Sequence, residues 1–137
     1  MKFKQSFWRI WPVVLWAVLM VYFFTSVPSG MPKFSALASI PHFDKIFHFS
    51  VFSIWALLLA FAFFATKQKT FFFNQNKKAF YFLTIAVAYA IFLETLQLFL
   101  PYRSFEWADL AANLLGVLAG SMLYRWLPLS RIGGAKT

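Results

Sequence analysis

The segment "PHFDKIFHFS", residues 41–50, places His42, Asp44, Lys45 and His48 within eight positions. On a helix, Asp44 and His48 are four apart and share a face, with Lys45 three before the histidine. Such a group can move protons through imidazole and carboxylate, or hold a phosphate through the ammonium. Two further constellations follow in the chain. Glu94 and Gln97 stand three apart, Asp109 and Asn113 four apart, and Arg103 lies between the pairs. The absence of cysteine excludes thiolate chemistry, disulfides and cysteine-held metals.

The surroundings of these residues are strongly apolar. The 137 residues are 61% hydrophobic and 12% charged, against about 25% charged in a soluble domain. With 20 Phe and 6 Trp, a water-facing surface could hardly be built, so an integral membrane protein of one domain is expected. A net charge of +9 raises the question of nucleic acid. The 13 basic residues sit in short segments between apolar runs, which suits loops beside anionic head groups, and no nucleic-acid partner is expected.

Four runs come close to the roughly 20 apolar residues that cross a bilayer. They cover 10–27, 46–65, 79–100 and 107–127, and together predict an all-α, four-helix transmembrane bundle. The first run resembles a signal peptide, with Lys2, Lys4 and Arg9 ahead of an apolar core ending in "TSVPSG". Pro28 near the cut and the length of the core favour a retained helix. With four spans, the N-terminus, middle loop and C-terminus share one side. That side holds Lys2, Lys4, Arg9, Lys67, Lys69, Lys77, Lys78, Arg125, Arg131 and Lys136; the other holds Lys33, Lys45 and Arg103. Positive charge stays inside, so both termini are expected in the cytoplasm. All four acids, Asp44, Glu94, Glu106 and Asp109, then lie at the outer ends of the helices, as do both histidines.

Small and polar residues form stripes in otherwise bulky helices. Ala86, Ala90, Glu94, Gln97 and Pro101 mark the third run, and Asp109, Ala112, Asn113, Gly116 and Gly120 the fourth. Intramembrane polar groups turn toward the bundle, and small residues let helices approach. Glu94 and Asn113 each lie six positions inside their run's outer end, roughly 9 Å deep at 1.5 Å per residue. The expected site is a funnel facing away from the cytoplasm. Its charged rim comprises Asp44, Lys45, Arg103, Glu106 and Asp109; its floor comprises Glu94, Gln97, Asn113 and His48.

Plainer readings stand beside each residue. Asp44 and His42 also suit a helix entry, Lys45 and Arg103 interfacial anchors, Asn113 and Gln97 interhelical bonding. Gly116 and Gly120 read as packing positions. If the polar groups only lock helices together, Glu94 is expected to pair with a cation such as Lys45 or Arg103. Glu94 is the hardest to explain this way, because a carboxylate inside a span is costly and usually functional.

"DKIFHF" followed by "ETLQLFLPYRSFEWADLAANLLGVLAG" resembles the VanZ-like family of small bacterial membrane proteins. The resemblance covers about residues 41–120 and joins D-K-x-x-H, E-x-x-Q-x-x-x-P-x-R and D-x-x-x-N-x-x-G-x-x-x-G in order. It implies Asp44, Lys45, His48, Glu94, Gln97, Pro101, Arg103, Asp109, Asn113, Gly116 and Gly120 as characteristic positions; Glu106 is not among them. It also implies a multi-pass protein of the bacterial cytoplasmic membrane, and the namesake is linked to teicoplanin resistance.

Three functions compete. The preferred one is non-catalytic binding of membrane lipid or a lipid-linked cell-envelope precursor at the outer leaflet, through Asp44, Lys45, Gln97, Arg103, Asp109 and Asn113. The second is an enzyme acting on such a lipid, with Glu94 and His48 as acid and base. The third is a structural membrane protein. A divalent metal on Asp44, His48 and Glu94 is conceivable, but the spacings match no strong metal motif, so no cofactor is expected. A homo-oligomer is compatible with so small a chain.

Overall fold

The computed structural model describes residues 2–26, 41–64 and 76–127, with side-chain surroundings from residue 7 in the first segment and from residue 77 in the third. Four helices carry these residues: α1, Lys2–Thr25; α2, Phe43–Phe64; α3, Asn76–Gln97; and α4, Trp107–Trp126. The expected "TSVPSG" cleavage region beyond Ser26, the basic middle loop, the outer loop with Lys33 and the C-terminal Arg131 and Lys136 lie outside the described residues.

Helix ends depart from the apolar runs for backbone reasons. α1 reaches back through Arg9 to Lys2, because charged residues propagate a helix as readily as apolar ones. Pro12 sits inside it. A proline there removes one backbone hydrogen bond, which membrane helices tolerate when neighbours compensate. α3 stops at Gln97. Leu98, Phe99 and Leu100 donate to carbonyls three residues back at 3.1–3.2 Å, a tightened ending ahead of Pro101. At the start of α2, His42 adopts a φ of 57°, and its carbonyl accepts from the amides of Lys45 and Ile46 at 3.1 and 3.2 Å. Histidine tolerates this left-handed conformation better than most residues. The exposed imidazole of His42 thus belongs to the helix entry.

The bundle is inverted relative to a soluble one. Ile10, Val14, Val18, Tyr22, Phe80, Ile91, Phe92, Leu115, Leu118 and Met122 all point outward. Such a belt of large exposed apolar side chains suits lipid rather than water. α1, α2 and α3 are long and apolar enough to cross a membrane. α4 has 20 residues but carries Asp109, Asn113 and Arg125.

Inside, α2 is the hub. It buries Val51, Phe52, Trp55, Ala56, Leu59 and Ala60 between the other helices. α1 sets Val13, Met20 and Phe24 against it, and Trp16 donates its indole N–H to the Val51 carbonyl at 3.1 Å. α3 contributes Phe82, Ala86, Ala90 and Leu93, and Tyr89 ties it to α1 through the Ala17 carbonyl at 2.7 Å. The closest approach is α2 to α4. A Cβ added at Gly116 would collide with the Phe49 carbonyl oxygen, and one at Gly120 with the Ser53 carbonyl oxygen. Only glycine allows the backbones so near.

Aromatic contacts fix which helix ends meet. Phe64 at the end of α2 lies against Phe82 of early α3 and Tyr124 of late α4. At the opposite end, Phe24 of late α1 touches Phe47 and His48 of early α2. Helices consecutive in the chain therefore run antiparallel, and the closely packed α2 and α4 run parallel. The C-terminal ends of α1 and α3 and the N-terminal ends of α2 and α4 converge.

Candidate functional site

Where those four ends converge, the buried polar side chains collect. Glu94 and Asn113 have no exposed surface, and Gln97, His48 and Asp109 keep 2%, 5% and 7%. α3 presents Glu94 and Gln97 from its last turn, and α4 presents Asp109 and Asn113 from its first two. α2 supplies His48 from its second turn, and α1 closes the group with Phe24.

Asn113 is the centre of the network. Its Nδ2 donates to Glu94 Oε1 at 2.9 Å, which leaves Oδ1 to face His48 Nδ1, also at 2.9 Å. An amide oxygen can only accept, so Nδ1 carries the imidazole proton here. The same Nδ1 lies 3.3 Å from Glu94 Oε1, a second acceptor for one proton. On the other edge of the ring, Nε2 lies 3.8 Å from Asp109 Oδ2. Phe24 stands edge-on to the imidazole, ring centroids 4.6 Å apart at 81°, and fixes its plane. Gln97 Nε2 reaches the Phe24 carbonyl at 3.4 Å.

Lys45 forms the rim. Its three ammonium protons go to Asp44 Oδ2 at 2.6 Å, Asp109 Oδ1 at 2.8 Å and Glu106 Oε2 at 3.0 Å. A lysine has three donors, so all are used. Because Asp44 and Lys45 start α2 while Glu106 and Asp109 start α4, this clamp ties the two helix ends. Asp109 joins rim to floor, with one oxygen on Lys45 and the other facing His48.

Two polar atoms here are buried without a hydrogen-bond partner, Glu94 Oε2 and Arg103 Nε. Arg103 sits in the α3–α4 connection, and among the described residues it makes no ion pair. Glu94 is bonded neither to Lys45 nor to Arg103, contrary to the pairing that a purely locking role predicts. Its partners are an amide and an imidazole.

The residues singled out in the sequence thus divide. His48, Glu94, Asn113 and Asp109 meet directly. Lys45 and Asp44 join through Asp109. Gln97 lies beside the group, bonded to α1 backbone, and Arg103 stands apart. Gly116 and Gly120 lie further along α4, at the α2 contact. Asp44, His48 and Glu94 do not converge on a common point. The acids whose oxygens lie within 4.8 Å of one another are Asp44, Glu106 and Asp109. The Lys45 ammonium already bonds all three.

Glu106 is the participant that the motif reading passed over. It precedes α4 as its cap, and its carbonyl accepts from the amides of Asp109 and Leu110 at 3.1 Å. Its side chain makes no capping bond and is free to reach Lys45. Its place at the outer helix start, three residues before Asp109, is what puts it on the expected rim, although the family motif does not include it. Phe24 was missed because nothing in an apolar run marks the one aromatic that touches a histidine.

A family model described as VanZ/LLP1 matches residues 3–128. The chain belongs to the VanZ/LLP1 family. No curated protein and no solved structure matches it. The match takes in all four helices, α1 included, and so reaches beyond the 41–120 stretch that carries the sequence motifs. In this VanZ/LLP1 chain the motif positions of α2, α3 and α4 fall at one end of a helical membrane protein. Three parts of the chain distant in sequence are brought to a single buried network.

Proposed function

We propose that this VanZ/LLP1 protein binds the polar headgroup of an outer-leaflet lipid or lipid-linked cell-envelope component at the convergent end of its bundle. It would do so as a four-span protein of the bacterial cytoplasmic membrane with both termini inside. One observation carries this reading: Glu94 is fully buried among apolar helices, yet Oε2 has no partner. A buried acceptor left unbonded costs on the order of 1–3 kcal/mol, and more when charged. A helix-locking network gains nothing from that cost, whereas a binding site recovers it when the ligand donates a hydrogen bond. The ten-to-three distribution of basic residues supports placing this end outside. The family's namesake is the sole ground for adding to this proposal a contribution to tolerance of glycopeptide-type antibiotics.

A second reading, acid–base catalysis on the same lipid, is favoured by His48. It stands between Glu94 and Asp109, the arrangement in which an imidazole can take a proton on one nitrogen and release one from the other. Turnover separates the two readings. The full chain, purified in detergent and incubated with total envelope lipid, is expected to retain lipid through native mass spectrometry without changing its mass. Glu94→Gln should hold that lipid about tenfold more weakly while melting within about 1 kcal/mol of the parent, since Gln keeps volume and the Asn113 bond. Retention of the same lipid by the variant as tightly as by the parent would refute the binding reading, and a modified product would favour the enzyme.

A further inference from the structure

The electrostatics of the site say which headgroup fits. Among the described residues at this end, the four carboxylates of Asp44, Glu94, Glu106 and Asp109 face only two cations, Lys45 and Arg103. With His48 neutral, two negative charges are left over. The Lys45 ammonium is consumed by three carboxylates at 2.6–3.0 Å, so it has no donor for a ligand phosphate. Arg103 is different: it has no carboxylate partner among the described residues, and its Nε is buried and unbonded. The two unsatisfied atoms thus carry opposite demands. Glu94 Oε2 calls for a hydrogen-bond donor, best a cation, and Arg103 calls for an anion of planar bidentate reach. They are not within ion-pairing distance of each other, so neither meets the other's need.

We infer that the ligand is a phosphate linked through a short chain to a primary ammonium, the ammonium donating to Glu94 Oε2 and the phosphate bonded by Arg103. This rests on the headgroup-binding reading above and names its ligand class. A lipid pyrophosphate is disfavoured, because it would add negative charge beside a surplus of carboxylates. A quaternary ammonium is disfavoured because it has no N–H for an acceptor that needs one.

The test is lipid retention by the full chain in nanodiscs, read by native mass spectrometry against three probes. They are phosphatidylethanolamine, phosphatidylcholine and phosphatidylglycerol. Phosphatidylethanolamine is expected to be held about tenfold more tightly than phosphatidylcholine, the scale of one hydrogen bond to a charged group. Glu94→Gln should erase that preference, and Arg103→Gln should weaken both zwitterionic lipids alike. Equal retention of ethanolamine and choline lipids by the parent chain, which needs no variant to fold, overturns the inference. Tightest retention of phosphatidylglycerol also overturns it, while leaving headgroup binding standing. Retention of no lipid overturns both.

Discussion

Asn113 can accept from His48 only because its amide nitrogen is turned toward Glu94, so the two 2.9 Å contacts stand or fall together. Asn113→Ala is therefore expected to cost more than one hydrogen bond. It removes both bonds at once and leaves Glu94 Oε1 and the His48 N–H only their 3.3 Å contact with each other, and should lower stability by about 2–4 kcal/mol in detergent melts. Asn113→Asp should be worse, since it sets a second carboxylate against Glu94. A melt of Asn113→Ala unchanged from the parent would show that the network does not hold the helices. Lys45 gives a separable prediction. Lys45→Met leaves three carboxylates within 4.8 Å of one another, two of them half exposed and screened by water. The loss should be about 1–2 kcal/mol, arising chiefly from Asp109, the one buried partner. Adding Asp109→Asn should restore part of it, because the repulsion and not the missing ammonium is the larger penalty. A double variant less stable than the single one would contradict that account. Much of this was legible in advance: Glu94 and Asn113 were placed at one depth by counting 1.5 Å per residue, and they do bond. The saturation of Lys45 was not legible, because spacing shows which groups share an end but not how three acids divide one cation's protons.

Among the elements, the α2–α4 pair is the rigid half of the bundle. An added methyl at Gly116 would run into the Phe49 carbonyl and stand 3.0 Å from Phe52 Cβ. At Gly120 it would run into the Ser53 carbonyl and stand 3.0 Å from Ala56 Cβ. The obstacles are backbone atoms of a neighbouring helix, which cannot swing aside as a side-chain tip can. Even alanine should force α4 outward, and overpacking of this kind costs about 1–3 kcal/mol. Gly116→Ala and Gly120→Ala are each expected to lower the detergent melting temperature, with Gly120→Ala the more damaging because its obstruction is nearer. Unchanged melting for both would mean that the helices are held further apart than described. The stripe itself was readable in the sequence as small residues at steps of three and four. Its partner face on α2 was not, since Phe49, Phe52 and Ser53 share no compositional mark. The helix ends were also misplaced by hydropathy alone. Apolar content marks what lipid will accept, whereas α1 and α3 extend into charged residues that only the backbone needs to continue.

For the whole molecule, the antiparallel arrangement converts a charge count into an orientation. Arg9 in early α1, Lys77 and Lys78 at the start of α3, and Arg125 at the end of α4 belong to the end opposite the buried network. Lys45 and Arg103 belong to the network end, and Lys45 is neutralised there by its carboxylates. The basic excess at the far end is what retains a loop in the cytoplasm, so the network end should face outward. A chain free of cysteine makes the test direct. Ser104→Cys, exposed in the α3–α4 connection, should react with a membrane-impermeant thiol reagent added to intact cells. Lys77→Cys, exposed at the start of α3, should react only after the cells are permeabilised. Removing Lys77 takes one of ten basic residues from the inner side, too few to invert the bias. If Lys77→Cys were labelled in intact cells and Ser104→Cys were protected, the buried network would face the cytoplasm. The headgroups available to Glu94 and Arg103 would then be those of the inner leaflet. If both were labelled in intact cells, α3 would have to enter and leave on one side, and the four-span bundle would be wrong even with its helices intact.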